Sequence, residues 1–120
     1  MTNYADYSTL EGLYKKNNTY DEVLDQVEKD FKEAMELLPN HEKGGEWAKG
    51  RSTAAAAAGY YARTLMMRHK YDETLAVLKD VLSSEDNGNQ KYGKYSLVKN
   101  YGDNFREGAA YENNAESIFE

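Results

Sequence analysis

The sequence predicts an all-α fold of helical hairpins that stack side by side into an α-α superhelix. Apolar residues recur at helical spacing in three segments, which is the main sign of helices that bury one face. The 120 residues contain one proline, the residue that interrupts helices. A Tyr-Asp-Glu motif opens two of the three segments and indicates an internal repeat. Stacked repeats bury the faces that single hairpins leave uncovered.

The first predicted helix covers residues 19–39. Glu22 follows Thr19 by three residues, which is typical of a capping box at a helix start. Pro39 ends the helix, because proline cannot continue the backbone hydrogen bonding. The expected inward face follows spacings of three and four and consists of Val23, Leu24, Val27, Phe31, Ala34, Met35 and Leu38.

The second predicted helix covers residues 52–69 and follows a loop at residues 40–50. Alanine fills residues 54–58, and it combines high helix propensity with almost no bulk. We therefore expect neighbouring helices to approach this one closely. Gly59 indicates either a packing contact or simple tolerance of a residue that disfavours helices by about 1 kcal/mol.

The third predicted helix covers residues 71–84. The link at His69-Lys70 is so short that the second and third helices must form an antiparallel hairpin. Residues 85–120 are expected to be mostly irregular, with a short helix at residues 101–105 and an extended end at residues 117–120. The expected inward face of the third helix consists of Leu75, Leu78, Val81 and Leu82.

An internal repeat supports the stacked architecture. Tyr20-Asp21-Glu22-Val23-Leu24 returns 51 positions later as Tyr71-Asp72-Glu73-Thr74-Leu75. One question stays open at the N-terminus: residues 1–18 form either a first repeat helix or a loop. At the same offset the corresponding apolar pairs are Val27 with Leu78, Phe31 with Leu82, Leu10 with Tyr61, and Tyr14 with Leu65.

The hairpin of the second and third helices resembles a tetratricopeptide repeat. Ala62 takes the small position of the first helix of such a repeat, and Leu65 takes the bulky one. Two positions depart from the pattern: Thr74 stands where alanine is usual, and His69 stands where glycine is usual.

Composition and charge exclude several functions. The net charge of −6 argues against a nucleic-acid partner, which needs clustered Lys and Arg on one face. The absence of cysteine excludes disulfides, thiolate metal sites and a cysteine nucleophile. No apolar run approaches the ~20 residues that cross a bilayer. The first residues lack the basic and apolar regions of a signal peptide, and there is no lipobox.

The candidate ligand-binding residues are aromatic. Trp47, in a glycine-flanked loop, is either a platform for a sugar ring or an anchor that folds back onto the helices. Among the 11 tyrosines, Tyr92, Tyr95 and Tyr101 are favoured for an interface, because tyrosine combines an apolar ring with a polar tip. The alternative is that the tyrosines fill gaps between helices. We retain Trp47, Tyr95 and Tyr101 as candidates.

Catalysis, metals and cofactors are not expected. His41 and His69 have no ligand-spaced partner for a metal. Asp86-Asn87-Gly88-Asn89 lacks the spacing and the final glutamate of a calcium loop, and a plain turn is the simpler interpretation. The carboxylates in first helical turns are stabilised by the helix dipole. They do not form an acid–base pair across a cleft. The sequence also contains no catalytic triad and no phosphate loop.

Several short motifs, taken in order, resemble the helical-repeat segment of the SusD/RagB family. The resemblance covers about residues 20–120. It implies a glycan- or nutrient-binding lipoprotein at the cell-surface face of the outer membrane, seated over a TonB-dependent transporter. The motifs are Gly50-Arg51-Ser52-Thr53, Tyr71-Asp72-Glu73, Lys94-Tyr95-Ser96-Leu97-Val98, Tyr101-Gly102-Asp103 with Phe105, and Asn113-Asn114-Ala115-Glu116-Ser117-Ile118-Phe119-Glu120.

The resemblance implies that the helices act mainly as a scaffold and that glycans bind mainly outside this segment. Members of that family are several times longer and begin with a lipidated cysteine, so we expect the chain to be a segment of a larger protein. If a first helix is missing, Val27 and Phe31 are expected to form an exposed face through which the segment dimerises. The alternative function is a free-standing tetratricopeptide-type adaptor for protein–protein binding.

Overall fold

The computed structural model describes residues 17–40, 50–82, 91–108 and 110–118. Within these ranges the chain contains three α-helices and no β-strand, which confirms the all-α class. The helices are α1 (Tyr20–Leu37), α2 (Ala54–Met67) and α3 (Tyr71–Val81), and a 3₁₀ helix follows at Tyr101–Phe105. All four lie within the segments that the sequence predicts to be helical.

The predicted capping box forms at the start of α1. The Glu22 backbone N–H donates to the Thr19 hydroxyl over 3.3 Å, and the Thr19 backbone N–H donates to Glu22 Oε2 over 2.8 Å. The bond from the Thr19 backbone N–H, followed by that from its hydroxyl, lowers the pKa of the Glu22 carboxyl. At the other end Leu38 is extended, which is the conformation that a following proline imposes.

The alanine-rich helix α2 lies between α1 and α3 and packs against both. Every side chain of residues 54–58 is at most 7% exposed, so the prediction of a buried alanine run is confirmed. Because alanine adds so little bulk, large side chains can approach the α2 backbone closely from both sides. The core formed here joins Ala54, Ala55, Ala58, Val81, Tyr92 and Tyr95, with Met35, Leu38 and Val77 packed against it.

The turn between α2 and α3 explains one departure from the tetratricopeptide pattern. His69 has φ +60°, which is left-handed backbone. Glycine adopts this conformation without steric penalty, and histidine adopts it at a cost. The turn is closed by the Lys70 N–H, which donates to the Leu65 carbonyl over 2.9 Å.

The predicted inward face of α3 is wrong in three of its four positions. Leu75 is 53% exposed, Leu78 38% and Leu82 43%, and only Val81 is buried. The face that contacts α2 is instead formed by Thr74, Val77 and Val81. The Thr74 hydroxyl donates to the Lys70 carbonyl over 2.9 Å, so threonine is accommodated where alanine is usual.

The residues of the dimer face expected on α1 are partly covered by α2. Val27 and Phe31 are half-buried, and the Phe31 ring stacks on Tyr60 of α2 with 5.6 Å between centroids. At α1, Val23 departs from its predicted inward place, because it is exposed. The physical reason is the same for both helices: the neighbour α2 covers one face, and residues beside that face remain in solvent.

An ionic cluster joins α1 to the turn between α2 and α3. Arg68 donates to Asp25 over 2.6 Å and to Glu28 over 2.8 Å. Lys70 donates to both carboxylate oxygens of Glu28, over 3.0 and 2.9 Å. The hydrogen bond that Arg68 donates to Asp25 is the main reason that the pKa of Arg68 is raised.

Candidate ligand-binding cleft

An open cleft of about 550 Å³ lies between α2 and the C-terminal part of the described chain. One wall belongs to α2, where Gly59, Tyr60 and Arg63 follow one another around its outward side. The facing wall contains Asn104, which belongs to the 3₁₀ helix, together with Asn114 and residues 116–118. Two stretches that are far apart in the sequence therefore meet across the cleft.

The α2 wall combines an open floor with an aromatic ring. A Cβ atom built on Gly59 would meet nothing within 4 Å, so no packing contact requires this glycine. Beside it, Tyr60 is about half exposed and is supported from behind by the ring of Phe31, at an interplanar angle of 11°. A ring held in this way is oriented before any ligand arrives, which lowers the entropic cost of binding.

The facing wall is held by a network of amide and carboxylate hydrogen bonds. Glu116 Oε2 accepts from the Asn104 side chain and from the Val98 backbone N–H, each over 3.1 Å. The Asn114 side chain donates to Asn104 over 3.0 Å and accepts from the backbone N–H groups of Glu116 and Ser117. The network links three short stretches of the irregular region into one wall.

Glu116 is ionised in this network. The hydrogen bond from Asn104, followed by that from the Val98 N–H, lowers the pKa of the Glu116 carboxyl. The ionised carboxylate accepts these bonds better than the neutral acid does. Its first effect is therefore to order the wall, and it also places negative charge at the cleft.

Arg63 contributes the opposite charge from the α2 wall. It is exposed, and no described residue forms a hydrogen bond or ion pair with its guanidinium group. A guanidinium group presents five N–H donors in a planar fork that suits hydroxyl and carboxylate oxygens. The cleft thus offers an aromatic face, a set of N–H donors and a fixed carboxylate.

The candidates chosen from the sequence do not line this cleft. Trp47 lies outside the described residues. Tyr95 is buried in the core cluster, as is Tyr92, so neither ring forms the exposed interface that the sequence favoured. Tyr101 is 75% exposed and packs edge-on against Phe105. It is the described candidate whose ring is open to solvent.

The sequence contains signals for the cleft other than aromatic residues in loops. Gly59 lies inside α2 without any packing need, which marks a surface left open. Asn114 and Glu116 belong to a motif already noted for the family resemblance, but pattern alone does not place them opposite Tyr60. Their meeting depends on the path of the chain after α3.

Neither a metal-binding cluster nor a membrane-spanning helix occurs in residues 17–40, 50–82, 91–108 and 110–118. No group of three His, Asp or Glu side chains there could hold a metal ion. None of the helices there is long and apolar enough to cross a membrane.

Comparisons with known proteins add no assignment. No family model, no curated protein and no solved structure matches this chain.

Proposed function

We propose that this chain is the non-catalytic helical-repeat segment of a SusD-like nutrient-binding protein that works with a TonB-dependent outer-membrane transporter. One observation carries the proposal: separate motifs of the resemblance interlock. Val98 belongs to one motif, Asn114 and Glu116 belong to another, and Asn104 stands between Asp103 and Phe105 of a third. The four residues form one hydrogen-bonded network. Such a network gives these residues a common structural role, as a family motif would require.

The proposed architecture is a tetratricopeptide-like stack. It is supported by the central place of α2, whose buried alanines separate two helices that open with the same motif. The left-handed His69 at the turn supports it too, because this is the position at which glycine is usual. In this proposal the helices act as a scaffold that presents the cleft and contacts the transporter at the cell surface.

The cleft is the proposed ligand contact within this segment. Its aromatic ring at Tyr60 suits the apolar face of a sugar ring, and Arg63 and Glu116 suit its hydroxyl groups. The main glycan site is proposed to lie outside this segment, so the contact made here is an auxiliary one.

The proposed biological context is tested by the gene that encodes the chain. The reading frame should carry a lipobox upstream of this segment, and an adjacent gene should encode a TonB-dependent transporter. The full-length protein should then sediment with the outer-membrane fraction and co-purify with that transporter. A reading frame with neither feature would overturn the proposal.

The proposed ligand contact is tested by oligosaccharide binding, measured by isothermal titration calorimetry across a panel of glycans. Tyr60→Ala should weaken binding of the best ligand by about ten-fold, since stacking of a ring is worth on the order of 1 kcal/mol or more. Tyr20→Ala, at an exposed tyrosine of α1, is the matched control and should leave affinity unchanged. If Tyr101→Ala has the effect expected of Tyr60→Ala, the contact lies at the 3₁₀ helix instead.

A second candidate function is a tetratricopeptide-type adaptor that binds a partner protein. It is favoured by the exposed apolar side chains along α3, since exposed apolar rows commonly mark protein-binding surfaces. An adaptor would bind a helical peptide without any need of glycan or transporter.

A further inference from the structure

An apolar row runs along the exposed side of α3. It consists of Tyr71, Leu75, Leu78 and Leu82, spaced four, three and four positions apart, and we call it the α3 stripe. All four side chains are exposed in the described structure. Tyr71, Leu75 and Leu78 lie on one side of α3. Leu82, the extended C-cap residue, continues the row just beyond the helix end.

The stripe is distinct from the face that α3 uses for its known neighbour. Thr74, Val77 and Val81 cover that face and lie against α2. The two faces are adjacent around the helix axis, which gives α3 an apolar arc wider than one neighbour can cover. A helix with such an arc is typical of a position between two neighbours.

The internal repeat indicates what the second neighbour is. At the 51-residue offset, Leu75, Leu78 and Leu82 correspond to Leu24, Val27 and Phe31 of α1, which form its α2 side. In α1 this row is buried or half-buried, and its continuation at Leu38 reaches the core cluster. The helix that covers the row in α1 is the next helix along the chain. Because α3 repeats the motif of α1, we expect the α3 stripe to be the face that a following helix covers.

The chemistry of that helix follows from α2. The large side chains Met35 and Leu38 of α1 pack against the core cluster that contains Ala54, Ala55 and Ala58 of α2. Phe31 is the exception, since its ring stacks on Tyr60. Large residues on one helix fit over small residues on its neighbour, because the backbones then come close without voids. A second copy of the chain cannot supply this surface from its described helices, since the alanines of α2 are already buried.

We infer that the α3 stripe docks a helix with a face of small residues, of the kind that α2 presents to α1. The partner is amphipathic, carries alanine or serine at spacings of three and four, and extends the stack beyond α3. This inference uses the duplicated arrangement that the proposed function also uses, but it requires neither the glycan nor the transporter.

The experiment labels the stripe directly, which the absence of cysteine makes possible. Leu78→Cys in the full chain is coupled to an environment-sensitive fluorophore. Leu37→Cys, at an exposed leucine of α1, carries the control label. The probe is a synthetic peptide with the sequence of residues 52–69, which contains the small-residue face of α2.

The expected result is a saturable blue shift of the label at position 78 as the peptide is added, with no shift at position 37. Leu75→Glu in the labelled protein should weaken this binding at least about ten-fold, because a charge then faces an apolar neighbour. A peptide in which Ala56 and Ala57 are both leucine is more apolar but lacks the small face, and it should bind more weakly.

Three results would overturn the inference. The first is the absence of any shift up to millimolar peptide, and the second is equal or tighter binding of the leucine peptide, which would show that only apolarity matters. The third is a shift that appears with protein concentration alone, which would mean that a second copy covers the stripe. None of these results bears on the lipobox or the neighbouring transporter gene, so failure here is distinguishable from failure of the proposed function.

Discussion

Helices α1 and α3 open with the same Tyr-Asp-Glu motif, but matching apolar residues are buried or half-buried in α1 and exposed in α3. Leu24 of α1 is 8% exposed, whereas Leu75, its counterpart in the repeat, is 53% exposed. In α3 the buried place is taken by Thr74, one position earlier. A shared motif therefore places two helices without deciding which side of each helix is covered.

The difference has a geometric cause. Helix α2 follows α1 in the chain but precedes α3, so it reaches the two helices from different sides. A shift of one residue turns a helix by about 100°, which moves a side chain from the covered side to the edge. The repeat therefore matches at 51 residues in sequence, while the faces toward α2 match at 50.

The largest expected effect compares the two matched leucines. Leu24→Ala should lower the free energy of unfolding by about 2–5 kcal/mol, because it leaves a cavity between α1 and α2. Leu75→Ala should change it by less than about 1 kcal/mol, since the side chain already contacts water. Urea denaturation of both variants measures the difference. Equal losses would contradict the assignment of the α3 face.

The next effect concerns the space around the alanine run. Ala58→Leu should destabilise the fold by about 1–3 kcal/mol, because α2 has no room for the larger side chain in the core. Ala76→Leu, at an exposed alanine of α3, is the control and should be close to neutral. An unchanged melting temperature for Ala58→Leu would mean that α2 is not enclosed between its neighbours.

A smaller effect is expected at the ionic cluster, which joins α1 to the turn between α2 and α3. Arg68→Met should lower the urea midpoint. Glu28→Gln should lower the free energy of unfolding less in the Arg68→Met variant than in the unchanged protein. The coupling should weaken in high salt. Lys29→Met removes an exposed pair within α1 and should leave the midpoint unchanged.

The smallest expected effect is a difference between the starts of α1 and α3 in how their stability responds to acid. Because the pKa of Glu22 is lowered in the fold, its contribution is complete above the ordinary glutamate pKa of about 4.3 and disappears as pH falls through the lowered value. Glu22→Gln should therefore flatten the loss of stability in that range. Glu73→Gln is the matched variant at α3, where the N-cap Lys70 forms no side-chain cap bond. The stability of both variants between pH 5 and about pH 3 provides the check.

The candidate site was less predictable than the helices. The sequence predicted ligand contacts at Trp47, Tyr95 and Tyr101. The described cleft is lined by Tyr60 and Arg63 instead. Composition indicates which residues suit a ligand, but Tyr95 shows that the same ring also suits a core. Whether a tyrosine is open to solvent depends on contacts between segments distant in sequence.

The sequence by itself determined the local features of this protein. The positions of the three helices, the capping box at Thr19 and the burial of the alanine run all follow from propensity, capping chemistry and bulk, which act over a few residues. Only the tertiary structure decided that Leu75 faces solvent and that Glu116 faces the wall of α2. Helical periodicity defines which faces are available, and the side on which a neighbour arrives decides which of them is buried.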